Sequence, residues 1–370
     1  FHKLTKYVGP YTCIRYTGRG ISFVYDRGEV KAETLEGFND GKAGKVAYIP
    51  AERNLVTLRG IQSLQLPYNN IRSFLFDWLS IHDHFLKDTA LSILDLNVRY
   101  YYDSIASVDK LILGDGKELL LDEASSGMQS LIPLYVCMKY LTEWIYSHTD
   151  DLSYSDKEKY EILLAKKIID DLPESSDSKV KRPIALGAVK KMYGEPVTRD
   201  ALQAVISSMR VLRKYSKEGE NDQVDSFARY EDYITRPHYT SLIVEEPELN
   251  LFPSTQASLL YDMIKMIGHD RDMLVITTHS PYILYALNNC MLRWLVRDTA
   301  PENEITPALR AAAIDPSIVS VWEMRDGHFD SPAGEGTTIQ DKRGLIRQNY
   351  FDRVMKNIMA DFNNMINFYD

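Results

Sequence analysis

Residues 241–253, SLIVEEPELNLFP, form an apolar run that ends abruptly in two carboxylates, a proline and a turn. A run of apolar or small residues is typical of a strand that is buried on both faces, as in a parallel sheet. Ligands of open α/β sheets bind at the carboxyl ends of such strands. We therefore expect Glu245 and Glu246 at a site where carboxylates serve a metal ion and a water molecule, as nucleotide hydrolysis requires. The alternative is a solvated strand end with two surface acids.

A second strand with a polar end is predicted over 273–277, where MLVIT is followed by a polar turn that contains His279. One helix, predicted over 254–268, joins the two strands, so the three elements form a βαβ unit whose strand ends are adjacent. A histidine at such a position can hydrogen-bond a phosphate and stabilise developing charge. A lone histidine is more simply a satisfied, half-buried side chain, and the expected position beside Glu246 favours the functional interpretation.

Small residues precede a long apolar segment in the middle of the chain. Ser125, Ser126 and Gly127 come directly before residues 128–147, which predict a substantially buried helix. The backbone amides at the start of a helix can bind an anion, and a serine hydroxyl adds a further donor to a phosphate. Taken alone, the simpler interpretation is that a serine caps the helix.

The composition excludes several classes of protein. The 370 residues are 45% hydrophobic and 26% charged, and the net charge of −9 argues against wholesale coating of nucleic acid, although local basic faces remain possible. Cys13, Cys137 and Cys290 contain no CxxC pair, which fits a reducing cytosol and predicts a cytoplasmic protein. No apolar run approaches the roughly 20 residues that span a bilayer, so no membrane association is expected.

Four segments follow one another along the chain, and together they indicate an α/β fold. They are a β-rich part over 1–58, a helical part over 59–149, a charged helical insertion or arm over 150–240, and an α/β core over 241–370.

Shorter elements are predicted within these segments from local patterns and turn residues. They are strands over 12–15, 21–25 and 45–49, a helical pattern over 61–102, a hairpin around 114–116, a second hairpin around 326–327, and a C-terminal helix over 343–368.

The serine-rich turn, followed along the chain by the two polar strand ends, resembles the motifs of the ABC-type ATPase head of the SMC/RecF/OLD group. Within that group the chain is most similar to standalone bacterial AAA-domain ATPases related to OLD proteins, including those of anti-phage defence systems. Residues 125–129, SSGMQ, are similar to the signature motif, 242–246 to Walker B, 249–253 to the D-loop, and His279 to the switch histidine. Residues 48–54, YIPAERN, also resemble a segment of the group, with no role that we can assign.

The resemblance implies a P-loop NTPase fold in which two heads hold two ATP molecules between them. Glu246 would be the catalytic base and His279 would act on the nucleotide of the same subunit, whereas Glu245 would hold Mg²⁺. Ser125 and Gly127 would contact the γ-phosphate bound by the opposite subunit. The full set of implied nucleotide-binding residues is Ser125, Ser126, Gly127, Gln129 and Asn250.

The sequence departs from this pattern because it contains no P-loop, GxxxxGK[ST]. That loop wraps the phosphates with backbone amides and reaches the β- and γ-oxygens with its lysine. The expectation from the resemblance is that a leading segment with the P-loop is missing, and that the 370-residue chain alone binds and hydrolyses ATP poorly. A smaller departure is Glu245, which stands where Walker B more often has aspartate.

The insertion over 150–240 lies between the signature motif and Walker B, which argues against a transporter subunit and suggests an arm for DNA or a partner protein. Arg210, Arg213, Lys214 and Lys217 share one helix face, and such a stripe could follow phosphates. A solvated helix face is the simpler interpretation of these residues.

Three functions remain open from the sequence. The first is an ATPase switch that dimerises and controls a nuclease or toxin effector on a separate chain, since no nuclease-like domain follows His279. The second is a nucleotide-independent scaffold, which only the missing P-loop supports. The third is a DNA-repair ATPase of RecF type that acts directly on DNA.

Overall fold

The computed structural model describes residues 11–17, 21–27, 29–34, 44–64, 66–67, 69–146, 164, 199–215, 224–225, 227–228, 230–231, 237–330, 337–366 and 368–369. The chain divides into two compact units, of which the first comprises 1–46 and 140–241 and the second 47–139 and 242–370. The four segments predicted from the sequence stay a prediction.

The described residues form strands and α-helices, with 3-10 helices between some of them. The strands are β1 Cys13–Thr17, β2 Ile21–Asp26, β3 Glu29–Thr34, β4 Gly44–Ile49, β5 Leu91–Ser92, β6 Arg99–Asp103, β7 Val108–Ile112, β8 Glu118–Leu120, β9 Tyr239–Glu245, β10 Met273–Thr277, β11 Glu323–Arg325 and β12 His328–Asp330. The α-helices are α1 Asn70–Ile81, α2 Ser126–Thr142, α3 Arg199–Tyr215, α4 Pro253–Met266, α5 Pro281–Leu295, α6 Pro307–Ala311 and α7 Tyr350–Ile366.

A parallel sheet with the order β10-β9-β4 confirms the α/β class. The predicted strands over 241–245 and 273–277 correspond to β9 and β10. Leu242 and Val244 of β9 are fully buried, whereas Met273 and Val275 of β10 are exposed. Leu242 and Val244 share one face of β9, and the other face, which carries Ser241 and Ile243, is only partly buried. The burial expected on both faces is therefore complete on one face of the central strand only.

Two helices cover this sheet region and form its core. The helix predicted over 254–268 is α4, and α5 follows β10. Ser280 caps α5, because its hydroxyl oxygen accepts hydrogen bonds from the backbone N–H groups of Tyr282 and Ile283 at 3.1 and 3.3 Å. The apolar sides of α4 and α5 pack together with residues that follow them in the chain. The buried members of this cluster are Leu260, Ile264, Ile283, Leu284, Ala286, Cys290, Met291, Ala312, Ile314, Ile339, Leu345 and Ile346.

The helix predicted over 128–147 is α2, and its burial is confirmed. Its residues from Ser130 to Cys137 are all buried. The helix ends at Thr142, five residues before the predicted end at residue 147. The Tyr135 hydroxyl donates a hydrogen bond to Asp262 of α4 at 2.7 Å, which fixes α2 beside the sheet helices.

The helical pattern predicted over 61–102 is wrong in its second half. Helix α1 occupies Asn70–Ile81, but Arg99–Asp103 is strand β6 in a four-stranded antiparallel sheet, β5-β6-β7-β8. Tyr100 and Tyr101 are buried there, and consecutive aromatic residues suit a strand in a packed sheet. The hairpin predicted around 114–116 is confirmed as β7 and β8.

In the first unit, β1, β2 and β3 form an antiparallel meander. The strands predicted over 12–15 and 21–25 are confirmed, and β3 is an additional strand. Much of the predicted insertion over 150–240 lies outside the described residues, as does Lys217 of the basic stripe. Arg210 and Arg213 on α3 both form ion pairs with Glu231, at 2.6 and 3.1 Å.

The hairpin predicted around 326–327 is confirmed as β11 and β12. The predicted C-terminal helix is α7, which begins at Tyr350, seven residues after the predicted start at residue 343. None of the helices in the described ranges is long and apolar enough to cross a membrane.

The three cysteines differ in burial, which gives a test of the fold. Cys13 is exposed, Cys137 and Cys290 are buried, and burial raises the pKa of the Cys290 thiol from its usual value near 9 to about 12. Only the thiolate reacts readily. We expect one fast-reacting thiol with a disulfide reagent near neutral pH, lost in Cys13→Ser, and three in denaturant. Fast labelling of Cys290 in the folded protein would contradict this packing.

The same shift has a consequence for stability. The pKa of the Cys290 thiol is near 9 in the unfolded chain and about 12 in the folded protein. The contribution of this thiol to the free energy of unfolding is therefore fully present below pH 9 and is lost as the pH rises toward 12.

Candidate functional site

The turn that follows β9 has an unusual backbone. Glu246 adopts a φ of +41° and Asn250 a φ of +60°, both in the left-handed region that non-glycine residues rarely occupy. The backbone N–H of Glu246 still donates to the Thr277 carbonyl at 2.8 Å, so β9 and β10 stay paired to their last residues. Backbone strain of this kind concentrates where a side chain must be held in a particular direction.

Glu245 is held by the protein on both carboxylate oxygens. Oε1 accepts a hydrogen bond from the Tyr48 hydroxyl of β4, and Oε2 accepts one from the backbone N–H of Ala51 at 3.3 Å. Burial, together with the Glu245 carboxylate, raises the pKa of the Tyr48 hydroxyl, which therefore remains a donor at physiological pH. Glu245 thus faces the β4 side of the sheet edge, with both oxygens engaged.

Glu246 and His279 come together as the sequence predicts. The two strand ends place Glu246 Oε1 3.8 Å from His279 Nε2. The His279 side chain is 87% exposed and that of Glu246 36%, so this pair opens to solvent and to an incoming ligand. An accessible carboxylate beside an accessible imidazole can hold a water molecule and donate to a phosphate oxygen.

A third acid, which the sequence reading missed, holds the histidine loop. Glu248 Oε1 accepts hydrogen bonds from the Thr278 hydroxyl at 2.8 Å and from the backbone N–H of His279 at 2.7 Å. Its Oε2 is buried without a hydrogen-bond partner among the described residues. Glu248 therefore ties the turn after β9 to the turn after β10. Its position three residues after a strand end was the only signal in the sequence.

A buried arginine, also missed, joins the site to the rest of the second unit. Arg53 lies in the 3-10 helix Ala51–Thr57 that follows β4, within the segment 48–54 to which no role could be assigned from the sequence, and it is fully buried. Its guanidinium donates to five backbone carbonyls. They are those of Ser130 at 2.8 Å, Pro50 at 3.2 Å, Glu245 at 2.9 Å, Glu246 at 2.9 Å and Pro247 at 3.3 Å.

The Arg53 charge is shielded by acids rather than paired with one. Burial lowers the pKa of Arg53 to about 10, and the nearby charges of Glu248, Glu246 and Glu245 oppose this effect. The guanidinium is therefore still charged near neutral pH. Buried charges are tolerated where hydrogen bonds satisfy them, and the carbonyls of the strand-end turn supply these bonds.

The residues predicted to bind a nucleotide at the start of α2 lie against the turn after β9. Ser125 is exposed and accepts from the backbone N–H of Met128 at 3.4 Å, and Ser126 is exposed as well. Gln129 instead donates to the carbonyls of Asp122 and Ala124 at 2.9 and 3.0 Å, and so supports the loop before the helix. The two serines are available to a ligand, whereas the Gln129 amide is engaged within its own loop.

Gly127 and Asn250 bring these two turns into contact. A Cβ atom added at Gly127 would lie 2.8 Å from the Asn250 carbonyl oxygen, closer than side chains tolerate. Asn250 Nδ2 also donates to the Ser130 hydroxyl at 3.0 Å. The start of α2 and the turn after β9 thus form one connected surface within a single chain.

The donor set fits Mg²⁺ only as an ion that keeps most of its waters. Among the described residues there is no group of three or more His, Cys, Asp or Glu side chains that could hold a metal ion. Glu246 offers an accessible carboxylate, and Glu245 has both oxygens engaged. Mg²⁺ is commonly bound through one or two carboxylates, waters and substrate phosphates, and this arrangement is compatible with that mode.

Comparison with known proteins adds no relative. No protein-family model matches the chain, and no curated protein matches its sequence. The assignment of a function to this site therefore depends on the site geometry and on the sequence motifs.

Replacement of Arg53 tests its role as the anchor of the site. We expect Arg53→Met to lower the free energy of unfolding by about 3–5 kcal/mol, because several buried carbonyls lose their donor. The matched control is Arg59→Met, since Arg59 is exposed and pairs with Asp122. Denaturant unfolding of both variants measures the difference, and equal stability of the two would contradict the anchoring role.

Replacement of Glu248 tests its hold on the histidine loop. In Glu248→Gln, the charge-assisted hydrogen bonds to Thr278 and His279 weaken, and we expect amide hydrogen exchange over 278–280 to become roughly tenfold faster. Exchange elsewhere in α4 and α5 should not change. Glu304→Gln, at an exposed acid of the same unit, serves as the control, and identical exchange in both variants would argue against this positioning role.

Proposed function

We propose that this chain supplies the water-activating part of an ABC-type ATPase head of the P-loop NTPase fold, which acts as a nucleotide-dependent, dimerising switch. The observation that carries the proposal is the pairing of Glu246 and His279, 3.8 Å apart at the adjacent ends of β9 and β10. The neighbouring serine turn at the start of α2 adds support, since it contacts the same surface through Gly127.

The residues divide the chemistry between them. The Glu246 carboxylate orients a water molecule and accepts its proton as the water attacks the γ-phosphate of ATP, while the bond to the β–γ bridging oxygen breaks and ADP leaves. The His279 imidazole donates a hydrogen bond to a phosphate oxygen as negative charge develops there. Glu248 and Arg53 do not contact the substrate and instead keep the two turns in place. Mg²⁺, when bound, would neutralise negative charge on the phosphate oxygens of ATP.

The exposure of the serine turn supports the proposed dimerisation. Ser125 and Ser126 are exposed at the start of α2, where they can reach a nucleotide held by a second subunit. ATP would then hold two heads together, and its hydrolysis would release them. We propose that the switch works in the cytoplasm and controls a separate nuclease or toxin effector, in anti-phage defence or another DNA-related process.

The phosphate-holding half of the site is not assigned to any residue. No GxxxxGK[ST] occurs in the 370 residues. This observation favours a second candidate function, that of a nucleotide-independent scaffold. Direct action on DNA gains no support, because Arg210 and Arg213 of the basic stripe form ion pairs with Glu231.

The test compares wild-type protein with Glu246→Gln, both produced from the complete gene. We expect ATP turnover to fall at least about 100-fold in the variant, because the general base is lost, while ATP binding persists and ATP-dependent association of two heads accumulates in addition to any association seen without nucleotide. Phosphate release and light scattering coupled to gel filtration measure the two effects. Glu304→Gln should behave as wild type.

Two results would reject the ATPase proposal. Unchanged turnover in Glu246→Gln would show that Glu246 is not the base. Wild-type protein that binds no ATP would favour the scaffold.

A further inference from the structure

Helix α7 exposes an apolar stripe along most of its length. None of its described residues is buried, although more than half of its side chains are apolar. Beyond the first turn, six of these side chains are between 46% and 65% exposed, and they lie on one side of the helix. They are Met355, Ile358, Met359, Phe362, Met365 and Ile366.

The spacing of the stripe suits a second helix as the surface that covers it. Phe351, Met355, Ile358, Phe362 and Met365 alternate in steps of four and three residues, which is the a and d pattern of a heptad. Met359 and Ile366 occupy the neighbouring e positions and widen the stripe. Over these two heptads a repeat of 3.5 residues drifts by only about 40° from a straight helix, so the stripe stays on one side of α7 and can face another helix along its length.

The first turn of α7 is firmly attached to its own unit. The buried Asn349 accepts a hydrogen bond from the backbone N–H of Asp352 at 3.0 Å and donates to its carboxylate at 2.6 Å. The Tyr285 hydroxyl also donates to Asp352, and Arg353 pairs with Glu323 at 2.7 Å. The stripe beyond this turn is therefore presented in a fixed direction, which lowers the entropic cost of binding.

We propose that this stripe, formed by the six residues from Met355 to Ile366 named above, pairs with the same stripe of a second copy of the chain. The four charged residues of α7, Asp352, Arg353, Lys356 and Asp361, cancel in charge. A membrane surface or a nucleic acid would favour an excess of lysine and arginine, which α7 lacks. An identical helix needs no opposite charge and supplies the same heptad spacing.

The apolar area is sufficient for such a pair. The exposed fractions of the six side chains correspond to roughly 500–600 Å² of apolar surface per copy, so a symmetric pair would bury on the order of 1,000–1,200 Å², the size at which specific interfaces begin. This pairing involves neither the Glu246 and His279 site nor the serine turn. It therefore forms without nucleotide and is separate from the ATP-dependent contact of the proposed switch.

The experiment measures self-association of the full chain without nucleotide, by sedimentation across a concentration series. We expect wild-type dimers, and at least about 100-fold weaker association in Ile358→Asp/Phe362→Asp, because each copy would bury two unpaired carboxylates in the seam. The matched control, Asn357→Asp/Asn364→Asp, adds the same charge on the other side of α7 and should remain dimeric. Circular dichroism checks that all variants stay folded, and Met365→Lys provides a second seam variant.

Each outcome decides the proposal. Loss of the dimer in both seam variants, with the control unchanged, supports self-pairing through α7. Wild-type protein that is monomeric without nucleotide overturns it, and so does a dimer that survives both seam variants. A monomer that dimerises only with ATP would overturn this inference while leaving the proposed switch intact.

Discussion

Arg53 connects three parts of the second unit that lie far apart in the sequence. Its guanidinium reaches the carbonyls at the end of β9, the turn before its own 3-10 helix, and Ser130 in the first turns of α2. Carbonyls at a strand end have no partner once pairing stops, and a planar group with five N–H donors can satisfy several at once. These hydrogen bonds hold the left-handed backbone at Glu246 in place. The direction of the accessible Glu246 carboxylate therefore depends on Arg53, which is fully buried.

Glu245 and Glu248 both form hydrogen bonds within the protein, which leaves Glu246 as the acid that can take part in the chemistry. Glu245 engages Tyr48 and Ala51, and Glu248 engages the turn that carries His279. Three carboxylates within four positions would repel one another if all were free, and the nearby guanidinium and hydroxyl reduce that repulsion. Glu246 is left as the carboxylate that a ligand can approach, beside an exposed imidazole. A division of this kind, with fixed neighbours around one open group, is typical of sites that are organised before the ligand binds.

The sequence predicted the elements whose patterns are local. The strands that became β9 and β10, the helix between them and the buried α2 all have apolar runs bounded by proline, glycine or serine, and Glu246 and His279 follow from the strand ends. The tyrosines at 100–102 were placed in a helix because aromatic residues fit either periodicity when their packing partners are unknown. Arg53 and Glu248 were missed for a related reason. Their roles depend on acceptors or donors supplied by distant segments, and no local pattern marks a charged side chain that will be buried.

The long sequence separation of the Arg53 contacts also matters while the chain is being made. Arg53 lies 192 to 194 residues before its partners at the end of β9. At about 5–20 residues per second, the ribosome would need roughly 10–40 s to deliver those carbonyls after the arginine has emerged. Throughout that interval the guanidinium lacks its acceptors at the end of β9, although α1 and the Ser130 carbonyl of α2 are made earlier. The hydrogen bonds between Arg53 and the end of β9 therefore form late in synthesis, and the guanidinium leaves water only when β9 is in place.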